Sequence, residues 1–116
     1  MNPKAPLGEF EQLVLLAVMR LQEGEGEGDR AYAVPIRQEI EERTSRSVAR
    51  GALYVTLDRL EEKGYLKSWL ADATAERGGR PKRFYEVRPA GSKALEYSWA
   101  ALRSMWEGLE PKRREA

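Results

Sequence analysis

The sequence predicts a mostly helical α+β fold in which a helix-turn-helix is followed by a two-stranded hairpin and a final helix. Three observations support this prediction. A short amphipathic helix with basic residues at its front follows a polar turn, two aromatic-rich segments flank a basic stretch with two glycines, and the C-terminal segment repeats apolar residues at heptad spacing. A hairpin directly behind a helix-turn-helix is typical of the wing of a winged helix.

The size and charge of the chain fit one small domain with a polyanionic partner. Its 116 residues are 41% hydrophobic and 34% charged, which is enough for a modest core. We divide the chain into a winged-helix part, residues 1–88, and a C-terminal dimerisation helix with its tail, residues 89–116. Residues 9–42 carry nine acids and three bases, whereas residues 43–88 carry eleven bases and six acids. The basic middle of the chain indicates a polyanionic partner for one surface of the protein.

The composition argues against several classes of protein. Without cysteine or histidine, the chain has no disulfide and no thiolate metal site, and no arrangement of its other polar residues suggests hydrolysis. We therefore expect no enzyme activity, no metal and no cofactor. The longest apolar run, Leu13–Met19, is far shorter than the roughly 18 residues that span a bilayer, and no signal segment precedes it. We expect a soluble, cytoplasmic protein without a membrane partner.

The first helix is predicted from about Gly8 to Leu21. Apolar residues surround most of its cylinder, so it must be covered on more than one side. A second subunit is the natural cover in so small a chain, with Leu13 and Leu16 in the contact. The alternative is that this helix is the central helix of a monomeric core. We expect irregular segments on both sides of it, a loose arm at residues 1–6 and a solvated loop at residues 23–28.

A helix-turn-helix is predicted after that loop. Its first helix begins near Val34-Pro35, because proline suits the first helical turn, and Ile36 and Ile40 form its buried spine. A turn near residues 44–47 leads into the second helix.

The second helix has a buried stripe and a free face. Its stripe consists of apolar residues spaced four and three apart, Leu53, Leu57 and Leu60. Gly64 supplies the left-handed residue that commonly closes a helix. From residue 43 to residue 57 there are three arginines and no acid, so the front of the helix favours phosphate. The DNA contacts expected from this helix and the turn before it are Arg46, Ser47, Arg50, Gly51, Tyr54, Val55 and Arg59.

Two of these residues have alternative interpretations. Val55 is a plausible partner for a thymine methyl group, although an exposed valine often has no role. Arg59 has acidic neighbours in Asp58 and Glu62. An ion pair with one of them and a contact with DNA are equally good interpretations, because surface pairs are easily exchanged.

The hairpin is predicted from strands at residues 65–70 and 83–88, with Gly78-Gly79 near its tip. Tyr85 and Val87 alternate toward the core. The basic residues near the tip would contact phosphate along the DNA backbone or in the minor groove, namely Arg80, Lys82 and Arg83. The alternative is a solvated loop whose charge is accidental.

Pro89 opens the last helix, which is followed by a tail predicted to be disordered at residues 111–116. Apolar residues at heptad spacing form a seam along it, namely Leu95, Trp99, Leu102, Trp106 and Leu109. Because two seam tryptophans must be buried and the rest of the fold has little spare surface, we expect this helix to pair with a second copy in a homodimer.

Four segments resemble a known family when their order and spacing are taken together. They are residues 7–16 (LGEFEQLVLL), 51–64 (GALYVTLDRLEEKG), 79–87 (GRPKRFYEV) and 89–95 (PAGSKAL). They resemble the PadR family of bacterial transcriptional regulators, and the resemblance extends from residue 7 to about residue 109. It implies a winged helix-turn-helix repressor that is dimeric through its C-terminal helix and binds a roughly palindromic operator. Gly51 and Tyr54 match the family's glycine and tyrosine of the reading helix.

The chain departs from the family pattern at two helix starts. Ala49 stands where the family often has serine and cannot cap, so Ser47 would have to cap the helix or its first turn is looser. Arg88 stands where the family usually has threonine, so the cap of the last helix is also in doubt.

The functional hypothesis is a sequence-specific transcriptional regulator that binds double-stranded DNA as a homodimer. A second hypothesis is a winged-helix module that binds an acidic protein and has no specific DNA target; equal weak binding to promoter and random DNA would favour it. A third concerns a small, flat, apolar ligand held between paired C-terminal helices. Trp99 would contact that ligand, unless it serves only as an anchor of the dimer.

Overall fold

The computed structural model describes residues 6–24, 31–71 and 81–109. Its elements are α1 (Glu9–Gln22), α2 (Ala33–Thr44), α3 (Arg50–Glu62), β1 (Leu66–Leu70), β2 (Arg83–Val87) and α4 (Pro89–Trp106). This is the mostly helical order that the sequence predicts, with one hairpin between the third and fourth helices. The predicted fold class, a winged helix-turn-helix, is therefore confirmed.

Helix α1 lies at the centre of the core. It packs against α2, α3, β2 and α4, and its residues Val14, Leu15 and Val18 are completely buried. Leu13 is half-buried and packs against the same core, whereas Leu16 stays exposed. Most of the apolar surface that we expected a second subunit to cover is thus covered by the chain itself, and Leu13 is part of that internal packing.

The helix-turn-helix is built on the predicted stripes. Helix α2 buries Ile36 and Ile40, and α3 buries its leucine stripe together with Thr56. Ser45 ends α2 in a left-handed conformation with φ 55°, and its N–H donates to the carbonyl of Glu41 at 3.0 Å. Gly64 follows α3 with φ 81°, which confirms the predicted glycine stop. The turn itself spans residues 45–49, slightly later than expected.

The hairpin is antiparallel, with Leu66 opposite Val87 and Leu70 opposite Arg83. One further hydrogen bond, from Ala71 N–H to the carbonyl of Lys82 at 2.8 Å, continues the ladder toward the tip. Both predicted strands are therefore present. The predicted glycine-containing tip and Arg80 lie outside the described residues.

A third segment pairs with β2, which the sequence did not predict. The N–H of Tyr85 donates to the carbonyl of Ala31 at 2.8 Å, and Tyr32 forms a bridge with Phe84. Phe84 is buried on the sheet face away from the main core, where Tyr32 packs edge-on at 5.5 Å and Trp69 lies at 6.2 Å between ring centroids. Tyr85 and the last residue of β2 point into the core, as predicted.

Helix α4 begins on the core and then leaves it. Its N-cap, Arg88, makes no side-chain cap, and the backbone N–H of Arg88 donates to the carbonyl of Tyr65 at 2.9 Å. Leu95 is buried in the chain's own core, so its assignment to an exposed seam was wrong; the helix start is anchored too close to the sheet for this turn to be free. The helix ends at Trp106, and Gly108 has φ 86°. Leu109 therefore lies beyond the helix and does not continue the seam.

Within residues 6–24, 31–71 and 81–109, nothing buries the second half of α4. From residue 99 to residue 109 every side chain is exposed, including Trp99 at 61% and Leu102 at 55%. Met105 and Trp106 extend the same apolar surface. Three of the five predicted seam residues thus lie on an exposed helical face.

Tyr85 makes the stability of the fold sensitive to high pH. Burial raises the pKa of its hydroxyl to about 12; the charge of Arg83 opposes this shift, and Asp58 and Glu61 add to it. Since this value exceeds the unfolded pKa of about 10, the contribution of Tyr85 to stability is present below about pH 10 and is lost as the pH rises through about 12.

We expect the difference in unfolding free energy between the wild type and Tyr85→Phe to fall over that range, because phenylalanine cannot ionise in the unfolded chain. Urea unfolding at about pH 9 and about pH 12 measures this difference. A difference that stays constant would contradict the buried, neutral hydroxyl.

No helix in the described parts of the chain combines the length and the apolar character that a membrane span requires.

Candidate nucleic-acid interface

The front of α3 exposes basic, aromatic and aliphatic side chains to solvent on one face. Arg50, Gly51, Tyr54 and Val55 are all exposed, while the leucines on the opposite side of the helix are buried. Tyr54 is 43% exposed and Val55 55% exposed. The structure therefore brings four of the predicted DNA contacts together on one surface.

The N-terminus of α3 is open. Its N-cap is Ala49, which makes no side-chain cap, and the first helical hydrogen bond runs from Leu53 N–H to the carbonyl of Ala49 at 3.1 Å. Ser47 is exposed and does not replace the missing cap. The uncapped N–H groups and the positive end of the helix dipole favour an anion at this position.

A carboxylate from α2 fixes the turn that leads into α3. Glu41 Oε2 accepts the backbone N–H of Val48 at 2.8 Å, and the Val48 side chain is buried. On the same helix, Thr44 Oγ1 donates to the carbonyl of Ile40 at 2.7 Å. The sequence alone did not assign this task to Glu41.

Arg46 is held by α1 rather than by the front of α3. Its two terminal nitrogens donate to the two carboxylate oxygens of Glu9, at 2.7 and 3.1 Å. This hydrogen-bonded pair lowers the pKa of Glu9 and raises the pKa of Arg46. A contact between Arg46 and DNA therefore requires the guanidinium to exchange Glu9 for phosphate, which the exposure of both side chains allows.

A second ion pair ties α1 to the end of α3. Lys63 Nζ donates to Glu11 Oε2 at 2.7 Å. Burial raises the pKa of Glu11, but the hydrogen bonds from Lys63 and from the Gly8 N–H outweigh it, so the pKa is below its ordinary value. The charge of Arg59 acts in the same direction. Within the described residues, Arg59 forms no ion pair with its acidic neighbours on α3.

The base of the wing carries two cations in defined positions. Lys82 Nζ lies 4.1 Å from the centroid of the Tyr32 ring, in a cation–π contact. Arg83 Nη1 donates to Ser68 Oγ at 2.9 Å, and the Ser68 hydroxyl donates to Glu61 at 2.7 Å. Both cations thus lie at the base of the wing and are oriented by neighbours.

Sequence reasoning missed Arg37. This residue of α2 lies with Arg50 and Tyr54 along a groove between α2 and α3. Arg37 is the one base in the first two turns of α2, a signal that could have identified it.

An apolar groove lies between α1 and α4, with a volume of about 380 Å³. Leu16, Met19, Leu95 and Trp99 form most of its apolar surface. The predicted ligand residue, Trp99, therefore sits at a concave surface, with Arg103 stacked 5.1 Å from its ring centroid. No acidic cluster suited to a metal ion occurs in residues 6–24, 31–71 and 81–109.

The order of α2, turn, α3 and antiparallel hairpin, with the basic front of α3 exposed, defines the winged helix-turn-helix class of DNA-binding proteins. Residues 17–97 match the Transcriptional regulator PadR-like family. Because this match covers more than half of the sequence, the chain belongs to that family. It is a DNA-binding transcriptional regulator and not an enzyme. No curated protein matches the chain.

Solved structures share the fold. A PadR-like transcription factor from Bacteroides fragilis is 24% identical with a TM-score of 0.68, and 86% of this chain covers 85% of that one. A PadR family regulator from Clostridium difficile is 24% identical with a TM-score of 0.64, and 90% of this chain covers 100% of that one. The Orc1 protein of Aeropyrum pernix, in complex with DNA, is 26% identical with a TM-score of 0.61, and 84% of this chain covers 26% of that one.

Proposed function

We propose that the protein is a homodimeric repressor that binds a palindromic operator in the cytoplasm through α3 and its wing. The observation that carries the proposal is the exposed, uncapped front of α3, where Arg50 and Gly51 adjoin Tyr54 and Val55. An apolar and aromatic face beside an arginine suits the edge of a major groove, where bases and phosphates lie close together.

The predicted DNA contacts fall into two groups, contacts with base edges and contacts with phosphates. Tyr54 and Val55 would touch base edges, with a thymine methyl group as the partner of Val55. Phosphate contacts fix the orientation of the protein on the duplex, and we assign them to Arg46, Ser47, Arg50, Arg59, Arg80, Lys82 and Arg83. The Orc1 protein of Aeropyrum pernix, which this chain matches over 26% of that protein's length, was solved in complex with DNA, and this is consistent with the proposal.

Residues 89–116 would form the dimerisation unit, and residues 1–88 the reading unit. Trp99, Leu102 and Trp106 present apolar surface that no other described part of the chain covers, and Leu16 adds to it from α1. A patch of this kind is rare on a monomer. A twofold dimer formed there would set two copies of α3 in successive major grooves, about 34 Å apart.

Release by a small ligand is supported by the groove between α1 and α4. Leu16, Met19, Leu95 and Trp99 line it, and a flat apolar molecule would fit beside the indole. Quenching of tryptophan fluorescence by flat dyes, lost in Trp99→Ala while the dimer persists, would support this role. Quenching that survives the substitution would argue for Trp99 as a dimer anchor alone.

Binding to selected and random DNA tests the proposal. Duplexes retained by the full chain from a random pool should bind at least about 1,000-fold more tightly than random duplexes at the same salt concentration. Their sequences should show a twofold repeat. Equal, weak binding to both kinds of duplex would contradict the proposal. It would favour the alternative that this winged helix binds an acidic protein.

Gly51→Ala should change stability and DNA binding in opposite directions. A Cβ atom at Gly51 would meet nothing within 4 Å, so the alanine should stabilise the exposed helix by up to about 1 kcal/mol. The same methyl group would hold the backbone away from DNA. We expect a higher melting temperature together with weaker operator binding, measured by calorimetry and fluorescence anisotropy. Unchanged affinity would mean that the first turn of α3 does not approach the duplex closely.

A further inference from the structure

Helices α2 and α3 enclose a groove of about 300 Å³ beside the exposed face of α3. Each wall contributes one arginine, Arg37 from α2 and Arg50 from α3, and Tyr54 lies at the same groove. The full lining is Ala33, Val34, Arg37, Gln38, Glu41, Arg50, Leu53 and Tyr54. Two guanidinium groups along one groove favour an anion with several acceptor oxygens.

The Arg37 side chain has unused donors. Its Nε forms an ion pair with Glu41 Oε2 at 3.6 Å, a distance that is too long for a hydrogen bond. Glu41 Oε2 instead accepts the Val48 N–H at 2.8 Å. Within the described residues, the buried Nε of Arg37 therefore has no hydrogen-bond partner, although its side chain is 43% exposed. The outer part of the guanidinium, rather than the buried Nε, can therefore meet an incoming anion.

Arg50 also favours an anion in this groove. It is exposed, it is the first residue of the uncapped helix α3, and it forms no ion pair with another described residue. The positive end of the α3 dipole acts at this position. Glu41 is the one acid in the groove lining, and its bond to the Val48 N–H keeps it on the turn.

We propose that Arg37 and Arg50 together hold a single phosphate of the DNA backbone in this groove, an inference that rests on the proposed DNA-binding function. The groove shares Arg50 and Tyr54 with the reading face, so the phosphate would be one that borders the major groove. Held from both helices, it sets how far α3 enters that groove. Arg37 is thus a positioning contact that makes no distinction between base sequences.

The salt dependence of binding tests whether the two arginines share one phosphate. The full-length wild type, Arg37→Gln, Arg50→Gln and the double variant are titrated with a selected duplex and a random duplex over a range of salt. We expect each single variant to bind both duplexes about tenfold more weakly. For the double variant, the slope of log K against log salt should decrease by about 0.9, the value for one phosphate.

Arg43→Gln is the matched control, because Arg43 is on the same helix and its guanidinium is paired with Glu39. It should leave affinity and slope unchanged. Arg37→Lys keeps the charge and should keep the wild-type slope while binding more weakly than the wild type. Circular dichroism confirms that each variant is folded.

Two outcomes would overturn the inference while leaving the proposed function intact. One is an Arg37→Gln protein whose affinity and slope equal those of the wild type. The other is a double variant whose slope falls by about 1.8, which corresponds to two separate phosphates. Wild-type protein whose binding does not depend on salt would instead refute the proposed function itself.

Discussion

The Leu102→Glu/Trp106→Glu protein should be a monomer that binds its operator at least about 100-fold more weakly than the wild type. Both side chains are exposed on α4 and contribute nothing to the core of their own chain. Glutamates at these positions would place like charges opposite each other in the proposed dimer. Each half-site would then bind alone, and the gain from two linked contacts, about 100- to 10,000-fold, would be lost.

Analytical ultracentrifugation and fluorescence anisotropy measure the two effects on the same samples. Ser104→Glu is the control, because Ser104 is exposed on α4 and lies on the side away from the heptad seam. It should stay dimeric and bind DNA normally. A dimeric double variant with normal affinity would show that subunits associate elsewhere, or that association is not needed for binding.

Gly91→Ala should destabilise the fold by roughly 1–3 kcal/mol. A Cβ atom at Gly91 would lie 2.5 Å from the carbonyl oxygen of Tyr65 and 3.1 Å from Val87 Cγ1. The Tyr65 carbonyl cannot easily move, because it accepts the Arg88 N–H at 2.9 Å, and the Tyr65 N–H is itself bonded to Leu60. Helix α4 would have to shift off the hairpin, which outweighs the helix propensity of alanine.

Calorimetry at one fixed protein concentration measures this effect, since association also changes the melting temperature. The expected decrease is about 4–8 °C for each kcal/mol in a domain of this size. Gly51→Ala is the matched control and should move the melting temperature in the opposite direction, because its Cβ atom enters open space. A Gly91→Ala protein as stable as the wild type would mean that the start of α4 is loosely packed.

Local pattern predicted most of the fold. The leucine stripe of α3, the glycine stop at Gly64 and the two strands all follow from spacings of two to four residues, where side-chain direction is set by helical or strand periodicity. The isolated bridge between Tyr32 and Phe84 escaped prediction, because a single pair of bridged residues gives no periodic signal in the sequence.

The candidate site was only partly predictable. Arg50, Gly51, Tyr54 and Val55 fall on one face because a helix places them there, and the sequence grouped them correctly. The basic side chains of the site contact residues that are distant in sequence. Arg46 meets Glu9, 37 positions away in sequence, and Lys82 lies on Tyr32; neither spacing has a local signature.

The sequence by itself determined the class of fold, the amphipathic helix α3 and the apolar character of the C-terminal helix, because each follows from periodicity and composition. Tertiary structure alone decided which part of that helix is available to a partner. Gly91 brings the first turns against Tyr65 and buries Leu95, whereas the chain leaves Leu102 and Trp106 uncovered. The heptad spacing continues across both halves of the helix, and the packing of its first turns, at Gly91 and Leu95, separates the buried residues from the exposed ones.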